Sequence, residues 1–454
     1  MSSRILLLNV NRCKSPYPVY PLGISHLAAT LRKRGHTVFL GDINIHGEKL
    51  KELIEGCRAD MVGLSLRNID TTQMDRERFF VPDLQDAVKA VRLATDAPVV
   101  VGGSAFSLFP ERILEFTGAD YGIHGEGEAA LSALVEALEK GEAVDTIPGL
   151  VYREDGRVKK NEKTDCAVDE ICPAVHPDEL VKYYLDSSLM LNLQTQRGCA
   201  FRCCYCTYPL IEGRNFRRRK PEAIADELSA ACGKGCSYFF IADSVFNTSA
   251  EHVAGVCEEI LRRDLRMHWG CFLRPKNLTN EIMALMSRAG LRHVEFGTDS
   301  FCDTVLDAYG KNFSFDDVMH SNEMALQNNI RAAHFLIFGG PSESEQTMKE
   351  SFTNSQSLRR TVIFASTGMR LYPETPLYDH ALREGSISEN TDLLRPYYYS
   401  TPGISEQRVF ELLQDFRRQS RRWLINEPTD HTLKIMNSLR SRGVKGPLWE
   451  FMAG

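Results

Sequence analysis

Hydrophobic and polar positions fall into two alternating series separated by an irregular stretch. In the first series, short apolar runs occupy residues 5–10, 37–40, 61–66, 98–101 and 121–124. Between them, 24–34, 83–94 and 128–138 space their apolar residues as helices do. Strands alternating with helices predict βαβ units around a parallel sheet, so residues 1–140 read as a Rossmann-like α/β domain. Gly102-Gly103 and Gly125-Glu126-Gly127-Glu128 fall where strands end. That carboxyl edge is where open α/β sheets bind ligands.

Residues 141–190 break the rhythm. Apolar positions at 147–152 and the segment 157–160 flank Glu154-Asp155-Gly156, a hairpin-turn sequence, and Pro173, Pro177 and Asp178 follow. The stretch predicts a linker with a small β-element. The second series then supplies strand candidates at 191–196, 238–242, 267–273, 293–297, 332–338 and 362–370. Helical patterns at 221–231, 250–263, 280–289, 315–327 and 345–358 separate them. Six such repeats fit an open, partial (β/α)6 barrel over 191–380, with its active site at the carboxyl ends of the strands. The remainder, 381–454, reads as a helical C-terminal cap with an amphipathic helix around 405–424.

Composition narrows the class. A chain of 454 residues favours two or three domains, and 43% hydrophobic with 25% charged residues is a globular balance. A formal charge of −6 argues against nucleic acid as partner. The basic clusters at 214–220 and 417–422 read as solvated faces. The apolar run after Arg4 ends at Asn9 and Asn11, as a first strand does, and not as a signal peptide or membrane span. The expectation is a cytoplasmic protein with no membrane partner. In that compartment its 13 cysteines would be reduced, and a tight group of them suggests metal or catalysis.

Such a group follows the first barrel strand: Arg197-Gly198-Cys199-Ala200-Phe201-Arg202-Cys203-Cys204-Tyr205-Cys206. Three cysteines in a C-x₃-C-x₂-C register sit on one loop at the catalytic edge, with Cys204 the spare thiol pointing away. A four-iron cluster normally takes four thiolates, so three leave one iron open to a small molecule.

C-x₃-C-x-aromatic-C after a barrel strand resembles the signature of the radical S-adenosylmethionine (SAM) superfamily. The resemblance implies a [4Fe–4S] cluster on Cys199, Cys203 and Cys206 whose open iron binds SAM. A reduced cluster, fed by an electron donor such as flavodoxin or ferredoxin, would cleave SAM to methionine and a 5′-deoxyadenosyl radical. By the same resemblance Tyr205 packs near the adenine. Asp243 and Ser244, ending the second strand, meet the methionyl ammonium. Glu295 and Asp299 on the fourth strand meet ribose and carboxylate, and Gly340 in Gly339-Gly340-Pro341-Ser342-Glu343 lies beside the adenine. Helix capping is the structural alternative for Asp243 and Glu343.

An α/β domain ahead of such a barrel resembles the cobalamin-binding-domain radical SAM family. Pro21-Leu22-Gly23, Gly63-Leu64-Ser65-Leu66, Gly102-Gly103 and Gly125-Glu126 carry this resemblance. It implies cobalamin at Ser65, Gly102, Gly103, Gly125 and Glu126, where small residues let a corrin approach the backbone. One departure stands out: Asn9-Val10-Asn11-Arg12-Cys13 replaces a D-x-H-x-x-G loop, so no histidine there can ligate cobalt.

The implied activity is hydrogen abstraction from an unactivated carbon of a small molecule such as a natural product, sugar or lipid, followed by cobalamin-dependent C-methylation. The alternative is cobalamin-free elimination or rearrangement, such as diol dehydration of an aminosugar. A non-enzymatic iron–sulfur or corrinoid regulator is the reading from another class. Arg274 and Arg370, at strand ends, are candidates for substrate contacts or salt bridges.

Overall fold

The computed structural model describes residues 2–15, 17–74, 77–167, 171–425 and 430–451. Its first sheet has the order Thr37–Asp42, Arg4–Asn9, Met61–Ser65, Val99–Gly102, Tyr121–Ile123, all parallel, followed by the antiparallel strands Leu150–Glu154 and Arg157–Lys160. Both faces are buried because alternate residues of each apolar run serve opposite helix layers. Leu6, Leu8, Val62 and Val101 pack against helices Val81–Ala94 and Pro110–Thr117. Ile5, Leu7, Met61 and Val100 pack against Leu22–Lys33 and Gly127–Lys140. The strand order is the 2-1-3-4-5 arrangement of flavodoxin-like doubly wound folds, which periodicity alone cannot read. It places a topological switch, and therefore a crevice, between the first and third strands. The predicted hairpin forms, with its turn at Asp155-Gly156, both at positive φ. It extends the first sheet instead of standing in a linker.

The second sheet is all parallel, in the order Leu191–Leu193, Tyr238–Ile241, His268–Leu273, Leu291–Asp299, Arg331–Phe338, Thr361–Thr367, Trp423–Ile425. The six expected strands are joined by a seventh from the C-terminal region, which is therefore more than a helical cap. Along Leu291–Asp299, Val294 and Phe296 face the outer helices, whereas His293 and Glu295 turn into the barrel. A register shift between Phe296 and Asp299 bulges the strand's end, with Asp299 at φ 69°. The barrel floor is closed by residues 444–451. Trp449 Nε1 donates to Glu295 Oε1 (3.0 Å), and Glu450 Oε1 lies 2.7 Å from His293 Nε2. No helix of the described residues is long and apolar enough to cross a membrane.

Buried polar pairs join the two sheets. Arg197 reaches Glu128 at 2.7 Å and Glu126 at 3.3 Å, and Arg217 grips the Glu126 carboxylate at 2.6 and 2.9 Å. Arg370 pairs with Asp70 at 2.9 Å, both fully buried, and also donates to Leu371 O and Leu393 O. This assigns Arg370 to a salt bridge. Such pairs fix orientation more than they add stability, because desolvation offsets much of their attraction.

Candidate active site

The cysteine loop is held from both ends. Gly198 has φ +85°, and a Cβ there would stand 2.0 Å from Asn215 O, so only glycine fits. Its N–H donates to Glu212 Oε2 (3.1 Å), and Cys199 N–H donates to Gly213 O (3.0 Å). The short helix Tyr208–Glu212, opened by Pro209, thereby folds back on the loop. Cys204 faces the other way. Its N–H donates to Tyr309 O, its carbonyl accepts from Leu377 N–H, and its side chain joins the hydrophobic core. Cys199 and Cys206 lie close enough to Cys203, and Cys206 to Cys199, for charge on one thiol to act on the others, so the loop gathers the three in one place. Burial pushes the Cys206 thiol up to about 12, so something cationic must replace its proton before it can act as a ligand.

The donor set fits a four-iron cluster. Among the described residues no group of three His, Cys, Asp or Glu side chains is set to hold a single metal ion. Each thiolate of a cluster would grip a different iron, so a cluster does not need its three thiols closed around a single ion. Two cations face the thiols. Lys311 is buried and pairs with Asp299 at 2.6 Å, and the Arg274 guanidinium stacks 4.1 Å over Phe201 inside the loop. They would offset the negative charge of a cluster. Arg274 therefore lies beside the cysteines, and Lys311 had no sequence signal, since it sits in an ordinary turn after Gly310.

The residues expected to meet SAM are largely engaged with one another. Tyr205 donates its hydroxyl to Asp299, which also accepts from Lys311. Asp243 is fully buried and accepts from Thr195 N–H (2.7 Å), Thr195 Oγ and Gln196 N–H (3.3 Å). Burial raises its carboxyl to about 7 against the pull of those donors. Asp243 thus pins the strand that leads into the cysteine loop. Ser244 Oγ donates to Gly198 O (3.0 Å), again steadying the loop. Gly340 lies against the Tyr309 ring, where a Cβ would come within 2.4 Å of its hydroxyl. Glu295 sits mid-strand with Trp449, away from the strand end where a ribose contact was expected. Asp243→Ala should strand three buried donors at a cost of about 1–3 kcal/mol and lower iron retention, while the loaded fraction binds SAM normally. Denaturation and iron analysis check this. Full stability with lost SAM affinity would instead support the ammonium role.

The expected cobalamin residues do come together. A cavity of about 550 Å³ opens along the first sheet's carboxyl edge, and Ser65, Gly102, Gly103, Gly125 and Glu126 all line it. Its opposite wall is Thr207 and Tyr208, immediately after Cys206, with Asn192, Gln194 and Ala242 of the barrel. A Cβ on Gly23 would meet nothing within 4 Å and one on Gly102 only ordinary contacts, so both present backbone to the space. This open cradle fits a large planar ligand. Gly103 differs: at φ +96° its Cβ would clash with Leu66 O at 2.5 Å, so it is needed by the fold itself. The Glu126 carboxylate is taken by Arg217, Arg197 and Cys166 N–H, which makes it a domain clamp instead of a free ligand contact. Asn9 and Asn11 line the cavity where a histidine was missing from the sequence.

Comparison with known proteins agrees with this two-part site. A profile described as B12 binding domain matches residues 8–135, and one described as Radical SAM superfamily matches residues 193–353. The chain is similar to the tryptophan 2-C-methyltransferase of Streptomyces laurentii, 26% identical over 81% of this chain and 73% of the relative. It is also similar to the anaerobic magnesium-protoporphyrin IX monomethyl ester cyclase of Rubrivivax gelatinosus, 23% identical over 90% of this chain and 74% of the relative. The structure of the radical SAM methyltransferase TsrM from Kitasatospora setae, with cobalamin and a [4Fe–4S] cluster bound, superposes with a TM-score of 0.90 at 24% identity. That match covers 100% of this chain and 98% of TsrM, and at this identity it establishes the fold. The protein is a radical SAM enzyme. It belongs to the family in which a B12-binding domain precedes the radical SAM domain.

Proposed function

We propose that this enzyme transfers a methyl group to an unactivated carbon of a small molecule, in a reaction that needs cobalamin. The observation that carries the proposal is the continuous cavity joining the Gly102-Gly103 edge to Thr207-Tyr208 beside the cysteines. A scaffold domain would not need an open glycine cradle facing the cysteine loop. Cys199, Cys203 and Cys206 would hold the cluster, and Gly23, Ser65 and Gly102 would admit the corrin. When bound, these groups supply radical hydrogen abstraction and a methyl carrier.

The chain's own residues position and insulate that chemistry. Asp243 and Ser244 fix the loop, Lys311 and Arg274 balance its charge, and Arg197 ties the loop to the cavity wall through Glu128. Trp449 and Glu450 seal the barrel floor against water. A second reading, cobalamin-free elimination, draws on one feature: the loop after the first strand offers asparagines and no histidine.

Two experiments separate the readings. In a single turnover with SAM and reductant, the methylase reading expects S-adenosylhomocysteine in step with bound cobalamin. Release of 5′-deoxyadenosine alone, at full rate without cobalamin, would contradict it. Gly102→Leu should place a side chain in the cradle and weaken cobalamin binding at least about tenfold, with iron content unchanged. Equal cobalamin affinity in a folded variant would mean that the corrin site lies elsewhere.

A further inference from the structure

One short helix belongs to both halves of the site. Tyr208–Glu212 starts two residues after Cys206, and Thr207, Tyr208, Ile211 and Glu212 all line the cavity of about 550 Å³. Tyr208 is 38% exposed, so its ring is open to contact from that space. The far end of the helix grips the cysteine loop. Glu212 Oε2 accepts from Gly198 N–H (3.1 Å), and the following carbonyl, Gly213 O, accepts from Cys199 N–H (3.0 Å).

Glu212 also continues into the cavity wall. Its Oε1 accepts from the Gln194 side chain (3.0 Å), Gln194 Oε1 accepts from Arg197 Nε (3.0 Å), and Arg197 pairs with Glu128 of the first domain. Gln194, Arg197 and Glu128 line the same cavity. The wall that a ligand would touch and the bonds that hold the first cysteine are therefore one hydrogen-bonded chain, with Glu212 at its joint.

A helix of five residues does not hold its shape unaided. Lys163 donates to Leu210 O and Ile211 O, and Arg217 donates to Glu212 O while it pairs with Glu126. Those props come from outside the cavity. Contacts on Thr207, Tyr208 and Ile211 from a ligand within it would add the missing side.

We propose that the cysteine loop and the inter-domain cavity are coupled binding sites, with Glu212 the positioning residue between them. A filled cavity orders the helix and steadies Gly198 and Cys199 for the cluster. A cluster held by Cys206 fixes Thr207 and Tyr208 and so completes the cavity wall. Coupling of this kind is reciprocal, because each ligand favours the same ordered state of one element. The proposal rests on the reading of the cavity as the cobalamin site and adds how the two halves are loaded.

The test is equilibrium dialysis of hydroxocobalamin against reconstituted holoenzyme, and against the same protein stripped of its cluster by an iron chelator. The cluster-loaded form should bind cobalamin about tenfold more tightly, within the usual range for coupled sites. Bound cobalamin should in turn slow the loss of iron to the chelator. Glu212→Ala should bring the affinity ratio close to one, and Glu212→Gln, which keeps an acceptor for Gly198 N–H, should restore most of it. A residue with only a structural role would weaken both forms equally and leave the ratio at its wild-type value. Tyr208→Ala removes a ring from the cavity side alone and should also shrink the ratio; it decides the matter if Glu212→Ala takes up no cluster. Equal cobalamin affinity of the two wild-type forms, or a wild-type ratio in a variant that holds its cluster, would overturn the proposal. Cobalamin bound by neither form at full iron content would overturn the reading of the cavity, and the proposal with it.

Discussion

Replacing Cys199, Cys203 or Cys206 by alanine is expected to remove most of the iron and to abolish SAM cleavage. Each side chain would be the sole grip on one iron, and no other cysteine of the loop is placed to substitute. Cys204 is turned into the core between Tyr309 and Leu377, so Cys204→Ala should keep its iron. Its cost should be about 1 kcal/mol, from the lost packing of one small buried group. Iron analysis and the charge-transfer absorbance of anaerobically reconstituted variants read this directly. Equal iron loss in the Cys204 variant would show that the ligand set is wrongly chosen.

Arg197→Met carries the second large effect. Arg197 stands two residues before the first cysteine, and its partners Glu126 and Glu128 belong to the cavity wall of the other domain. Removing the cation leaves a buried carboxylate uncompensated, at a cost of about 3–5 kcal/mol. The pair also has a pH signature. Burial alone would raise the Glu128 carboxyl, but the attraction and hydrogen bonds of Arg197 hold it down at about 2. Because the folded value lies below the ordinary 4.5, the contribution is complete above that value. It is lost as pH falls towards 2. Wild type should therefore lose stability over this acid window, and Arg197→Met should lose the part due to Glu128. Denaturant unfolding at pH 7 and in that window measures both. A variant as stable as wild type at pH 7 would refute the clamp.

How far the sequence carried this reading depended on the range of each interaction. Strands such as Arg4–Asn9 and Arg331–Phe338 announce themselves because a buried strand must be apolar over its own few residues. The cysteine loop is equally local, and so are the cavity glycines at the strand ends. What stayed hidden involves partners far apart. Trp423–Ile425 is only three residues long, and only its pairing with Thr361–Thr367 makes it a strand. The hairpin after Leu150 looked like a linker because nothing local says that it pairs with Tyr121–Ile123. Asp243 read equally well as a ligand or a structural carboxylate until Thr195 and Gln196 were seen to occupy it.

The most direct measurement of the central claim is the iron and cobalamin content of one anaerobically reconstituted sample after excess cofactor is removed. The account predicts about four iron and about one cobalamin per chain, the iron lost with Cys199, Cys203 or Cys206 and the cobalamin with Gly102→Leu. Protein that keeps its iron yet releases all cobalamin would contradict the two-cofactor site, and protein that holds neither would contradict the assignment of the whole cavity.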